Sequence, residues 1–231
     1  MKKSKIACDL KSCFFCTGCL PEWLPAVNVN RKSFRVNKGE LLFSEGDAVT
    51  GIYFVYEGTV KVHKKWGNEK ELIVRFARKG DIVGHRGLGA NSVFPVSATA
   101  LEPSEICFID LAFFEASMKV NPGFLYKLMM FFATELQLSE RKMRNLAHMS
   151  VKGRVAQALI SLEEKFGKTK EGNIDITLSR QDLSSYAGTT YETVFRILND
   201  LVKDNAIKLT GKSIAITHPS LLLSFTNETE N

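Results

Sequence analysis

The hydrophobic repeat of this 231-residue chain changes period at Asn121-Pro122. Before that point, from about Phe34 to Ile109, apolar and polar residues alternate in short runs such as "GIYFVYEGTVKVHKKWGNEKELIVRFARKGDIVG", the pattern of half-buried strands. Glycines at 39, 46, 58, 67, 80 and 84 break the runs at hairpin intervals, and "WGNE" between "TVKVHK" and "ELIVRF" reads as a turn. Short strands joined in this way close into a small antiparallel β-barrel or jelly roll. After the change, "GFLYKLMMFFATELQLSERKMRNLAHMS" has no proline or internal glycine, and Leu125, Met129, Phe132, Leu136, Ser139, Met143 and Leu146 recur four and three apart. The spacing predicts a helix over 121–149 with a seam for a second copy. A homodimer is expected through Leu125, Met129, Phe132, Leu136, Met143 and Leu146, with Ser139 the one polar seam position. Met130, Phe131 and Leu138 lie outside the seam, so the helix is also expected to pack on its own barrel.

Beyond Gly153 the period stays helical through "RVAQALISLEEKFG", followed by a linker with Gly172 and a short strand, "IDITL". Ser179 is placed to cap a helix through "RQDLSSYA", Gly188 to turn the chain, and Thr189 or Thr190 to cap a second helix to about Lys203. This is a helix-turn-helix pattern, and "AIKLTGKSIAIT", with Gly211-Lys212 at its turn, adds a wing. Leu183, Ala187, Val194, Ile197, Leu198 and Leu201 fall on inward faces. Tyr191, Glu192, Phe195 and Arg196 face outward near the start of the second helix and are the candidates for reading a DNA groove. Ser179, Arg180, Thr189, Thr190 and Lys212 complete the candidate DNA contacts. Residues 150–231 hold ten Lys/Arg against ten Asp/Glu, so the net charge of +6 lies in residues 1–149. Binding to double-stranded DNA must therefore rest on local placement of charge.

Four of the five cysteines stand at 8, 13, 16 and 19, and the fifth is Cys107. No stretch approaches the about twenty apolar residues of a membrane span, and the basic start has no apolar segment behind it, so a cytoplasmic protein without a membrane partner is expected. In a reducing compartment clustered thiols point to metal or redox chemistry before disulfides. The two-residue gaps of Cys13-x-x-Cys16-x-x-Cys19 suit an iron–sulfur cluster; tetrahedral zinc, or no metal, are the other readings. No Ser/His/Asp or paired-carboxylate constellation stands out, so an enzyme is not expected. "GHRGLGA" follows no βα unit and is not a nucleotide phosphate loop.

The order of barrel, long helix and winged helix-turn-helix, with "GELLFSEGD", "YEGTVKV", "KGDIVG" and "YETVFRIL", resembles the cyclic-AMP receptor/fumarate-nitrate regulator (CRP/FNR) superfamily of bacterial transcription factors. The resemblance runs from Phe34 to His218. It implies an α+β architecture: a cysteine-containing arm over 1–33, a cyclic-nucleotide-binding-like sensor barrel over 34–120, a dimerisation helix over 121–149 and a DNA-binding domain over 150–231. RNA polymerase is a further partner on the same ground. Cyclic AMP is not expected as the effector, because His85 stands where the resemblance places a ribose-binding glutamate and Phe94-Pro95 where it places an Arg-Ser pair for the phosphate. "ALEPSEICFID" instead resembles the oxygen-sensing branch, which implies Cys107 as the fourth ligand of a cluster with Cys13, Cys16 and Cys19; Cys8 is a further N-terminal candidate, an alternate that the branch does not define. The gap of two residues before Cys19, where that branch has five, is a departure, and the segment from Cys19 to Gly39 reads as too short for the helix that branch carries before its barrel. The function expected is a homodimeric regulator responding to redox state, oxygen or nitric oxide. The alternatives are a metal-free regulator with an unknown ligand in the barrel, a haem-based gas sensor, and a ligand-binding module without specific DNA binding. Glu192 and Arg196 match the superfamily's base-reading pair and imply a TGA-like core in each half-site.

Overall fold

The computed structural model describes residues 1–4, 6, 8–67 and 70–226. It divides into two units, residues 1–135 and 136–231.

In the first unit the alternating segment forms two antiparallel sheets. One has five strands in the order β1 (Lys2–Lys3), β2 (Lys32–Val36), β9 (Ser104–Asp110), β4 (Gly51–Glu57) and β7 (Ile82–Val83). The other has four, in the order β3 (Leu41–Phe43), β8 (Ser97–Ala100), β5 (Val60–Trp66) and β6 (Lys70–Ala77). Trp66 pairs with Lys70 across the expected hairpin, with Gly67 at φ +64°; Asn68 and Glu69 of that turn lie outside the described residues. Strand periodicity sorts the side chains into two cores. Tyr53 and Val55 of β4 and Ile106 and Phe108 of β9 turn inward, to Phe43, Val62, Phe94 and Ala98. Ile52, Phe54, Cys107 and Ile109 turn the other way, to the cysteine arm and the helices. Phe54 and Cys107 are direct cross-strand partners, so the alternation that buries Phe54 also sets Cys107 on the arm's side of the sheet.

A helix does precede the barrel. After two 3-10 turns, Cys16–Gly18 and Pro21–Trp23, α1 covers Leu24–Asn30, seven residues long. Pro21 and Pro25 fall in the first turns of these elements, where proline's fixed φ favours helix and its missing N–H costs nothing. The short length read from the sequence holds one compact helix with buried Val27. α2 (Leu111–Val120) follows β9 directly, capped by Asp110, whose carboxylate accepts from the Phe113 N–H at 2.9 Å. Asn121 leaves helical geometry, and α3 (Pro122–His148) begins on the proline. Phe124 and Leu128 bury against the outer core, whereas the seam positions Leu125, Met129, Leu136 and Met143 are 49%, 55%, 60% and 61% exposed.

In the second unit α4 (Val151–Phe166) leads to α5 (Arg180–Ala187), α6 (Tyr191–Lys203), the hairpin β10 (Ile207–Thr210) and β11 (Ser213–Ile216), and α7 (Pro219–Thr226). The expected strand at "IDITL" is not formed. Ile174 makes one isolated bridge to Lys168 and donates its N–H to the Ile214 carbonyl at 2.8 Å. Ile174, Ile176 and Leu178 instead turn their side chains to a small apolar space beside Leu159, Leu162 and Leu183.

Candidate DNA-reading surface and cysteine site

The helix-turn-helix is built by its caps. The Ser179 hydroxyl accepts from the Asp182 N–H at 2.9 Å and donates to the Asp182 carboxylate at 2.5 Å, starting α5. Gly188 ends it at φ +67°, a left-handed conformation that a side chain rarely adopts. Thr190 accepts from the Thr193 N–H at 3.3 Å and starts α6. Leu183, Ala187, Val194, Ile197, Leu198 and Leu201 are all buried, while Tyr191 and Phe195 are 48% and 53% exposed beside exposed Glu192 and Arg196. Four residues separate Glu192 from Arg196, so they share one helical face. Arg180 is committed within the protein, donating to the Gly211 carbonyl at 3.1 Å and so tying the start of α5 to the hairpin turn. Lys212, next in that turn, is exposed, and Thr189 donates its N–H to the Ser184 carbonyl at 3.0 Å.

The cysteines gather from both ends of the first unit. The Cys16 thiol donates toward Cys8 and Cys13; that bond, against burial, lowers Cys8 to about 6 and Cys13 by the same cause, and it pushes Cys16 up. The Cys16 N–H also donates to the Cys13 sulfur at 3.3 Å. Cys107 is buried, which pushes its thiol up to about 12, with Cys13 and Cys8 adding to the effect. Cys8 and Cys107 line one small cavity with Ile6, Ser33, Tyr56, Glu105 and Ile106. Cys19 is half-buried and joins this group through its backbone, its N–H donating to the Cys16 carbonyl at 3.4 Å; burial, with Cys13 adding, pushes its thiol up to about 11. Among the described residues no three His, Cys, Asp or Glu close on one point as a ligand set.

The arm bearing these thiols is fastened to α2 and α3. Lys127 donates to the Phe14 carbonyl at 3.1 Å and to the Thr17 hydroxyl at 2.6 Å, and stands 4.6 Å over the Phe14 ring. The Asn121 amide oxygen accepts from the Leu20 N–H at 2.7 Å, and the Trp23 indole donates to the Ser117 hydroxyl at 2.9 Å. Gly18 permits the approach: a Cβ there would come 2.7 Å from Phe124 Cδ2. Sequence reasoning missed these contacts. Their only local traces are Lys127 within the apolar run "FLYKLMMFF" and Asn121 before the proline.

The turn "GHRG" meets α3 through charge. The Glu135 carboxylate accepts from Arg86 at 2.8 Å and lies 3.6 Å from Arg75 Nη1 and 3.7 Å from His85 Nε2. Burial pushes this carboxyl up, but His85 and the two guanidiniums outweigh it and hold it at about 2. The His85 ring is buried edge-on to Phe131 and Phe132, at 4.9 and 5.6 Å.

Residues 33–121 match the model of the cyclic nucleotide-binding domain, and residues 153–225 that of the Crp-like helix-turn-helix domain. Over 180 residues the chain is 32% identical to the cAMP-activated global transcriptional regulator CRP of Salmonella typhimurium, covering 76% of this chain and 84% of that protein. It is 29% identical over 215 residues to the Anaerobic regulatory protein of Bacillus subtilis, covering 92% and 89%. The solved structure of FixK2 from Bradyrhizobium japonicum shares the fold, with a TM-score of 0.78 at 23% identity over 87% of this chain and 99% of that one. Both domain models, in this order, and the extent of the likeness to CRP show that the chain belongs to the CRP/FNR superfamily and is a DNA-binding transcription regulator, not an enzyme.

Proposed function

We propose that this regulator acts as a homodimer and responds to redox state, oxygen or nitric oxide through its cysteine arm. The observation that carries the reading is the gathering of Cys8, Cys13, Cys16 and Cys107 on an arm and strand packed against the base of α3. By ligand type, the cofactor proposed for these thiols is an iron–sulfur cluster, which would have to draw Cys13, Cys16 and Cys107, with a fourth thiolate from Cys8 or Cys19, onto one centre. Cys8 is favoured, because it accepts from the Cys16 thiol and lines one cavity with Cys107. When bound, such a cluster supplies a centre that oxygen or nitric oxide attacks. The chain's own part is mechanical: Lys127, Asn121 and Phe124 hold the arm on the first turns of α3, so releasing the arm changes the packing of a helix whose exposed seam is suited to a second copy. The name of the Bacillus relative, an anaerobic regulatory protein, agrees with this reading.

Cyclic AMP is not the effector proposed. His85 and Phe94-Pro95 occupy the positions matched to the ribose and phosphate partners, and Phe94 is buried in a stack on Phe43 at 3.8 Å. The nearby guanidiniums of Arg86 and Arg75 are engaged by Glu135 and Asp81.

Anaerobic purification followed by iron and acid-labile sulfide assay tests the reading. Cys107→Ser and Cys8→Ser should each abolish both, and Cys19→Ser should spare them. Retention in Cys8→Ser with loss in Cys19→Ser would restore Cys19 as the fourth ligand. Neither element in the wild-type protein would contradict the cluster and move the effector to a ligand in the barrel.

A further inference from the structure

The first turn of α4 has no candidate DNA contact, yet it grips the helix-turn-helix from behind. Arg154 is the centre of that grip. Its Nε donates to the Ala187 carbonyl at 3.1 Å and its Nη2 to the Gly188 carbonyl at 3.2 Å, the last residue of α5 and the turn that follows. Its Nη1 donates to the Met149 carbonyl at 2.9 Å, in the short link between the end of α3 and the start of α4. One planar guanidinium thus joins three backbone carbonyls from two places 38 to 39 residues apart in sequence. Each is a charge-assisted bond to a partly buried carbonyl, and a Lys ammonium, a single point charge, cannot span all three.

Neighbouring contacts share the same direction. Lys142, near the end of α3, stands 4.4 Å over the ring of Tyr186 in α5. Lys152 donates to the Asp204 carboxylate at 3.0 Å, at the C-terminal end of α6. Gly153 lies so close to the end of α7 that a Cβ would come 2.6 Å from the Phe225 carbonyl, which fixes the depth at which this turn sits. The carbonyl of Gly188 is two residues before Thr190, the cap from which α6 starts. Through one side chain, the link after α3 is bonded to the turn from which α6 begins.

We propose that Arg154 is a positioning residue for DNA reading, fixing the launch of α6 relative to the end of α3. It rests on DNA binding alone and not on the cysteine reading.

The test uses full-length protein and two duplexes: the one the wild type selects from a random pool, and its scrambled counterpart. Arg154→Met should remain folded by circular dichroism and keep its affinity for the scrambled duplex, while affinity for the selected duplex falls about tenfold, the share of one charge-assisted hydrogen bond. Arg154→Lys should fall between the two. A purely supporting side chain would lower both affinities together. An unchanged ratio of the two affinities in folded Arg154→Met, or in Arg154→Lys if the methionine variant fails to fold, overturns the proposal. Loss of the fold in both variants would make Arg154 a folding residue only and overturn it as well.

Discussion

At the residue scale, the helix-turn-helix itself was the most legible part of the molecule. Ser179, Gly188 and Thr190 are local signals, each acting within four residues, and the structure uses them as caps and turn. Once α6 is placed, its period of 3.6 decides which side chains face out, because Val194, Ile197 and Leu198 have one side to bury. Arg196 and Glu192 then have the chemistry to read a base pair from one face: two donated bonds to guanine O6 and N7, and acceptance from a cytosine amine. Arg196→Ala should cost about 1–3 kcal/mol of discrimination at that guanine, measured as the affinity ratio between duplexes differing at one position. Equal weakening on every sequence would reduce Arg196 to a phosphate contact. Lys127, Arg154 and Glu135 were illegible for the opposite reason. Lys127 meets the Phe14 carbonyl 113 residues away, and no local pattern marks a side chain for a partner so distant.

At the element scale, strands and long helices followed from period, whereas short helices and irregular links did not. Seven residues of α1 carry too few turns to show an amphipathic stripe, and proline at its start reads as a break as readily as a beginning. "IDITL" alternates like a strand, but among the described residues its pairing stops at Ile174, with one isolated bridge to Lys168 and one hydrogen bond to Ile214 of β11, while the Ile176 N–H turns back to the Ile174 carbonyl. α3 bears the clearest unpartnered face, with Leu125, Met129, Leu136 and Met143 exposed at seam spacing. Leu136→Glu would set two carboxylates against each other across a paired seam. By analytical ultracentrifugation the variant should be a monomer where the wild type is a dimer. A variant that stays dimeric with unchanged DNA affinity would place the interface elsewhere.

At the scale of the whole molecule, ligation through Cys107 would tie the cysteine arm to β9, which α2 follows directly on the way to α3. The structure provides a shorter route. Phe14, Phe15 and Gly18 pack directly on Phe124, and Lys127 and Asn121 bond the arm's backbone, so the arm that carries the thiols and the base of α3 are in contact. α3 itself continues from the first unit into the second, where the reading helix lies. Under the proposed function, a signal that loosens the arm would act first on the base of α3, the helix that runs from residue 122 to 148. The most direct test is a gel-shift titration of the selected duplex with anaerobically purified protein before and after exposure to air, beside Cys107→Ser treated alike. The account predicts that air weakens wild-type binding by about tenfold or more, equivalent to about 1.4 kcal/mol, and that Cys107→Ser binds with the weakened affinity in both atmospheres. Equal affinity of the wild type before and after air, matched by the serine variant, would contradict it.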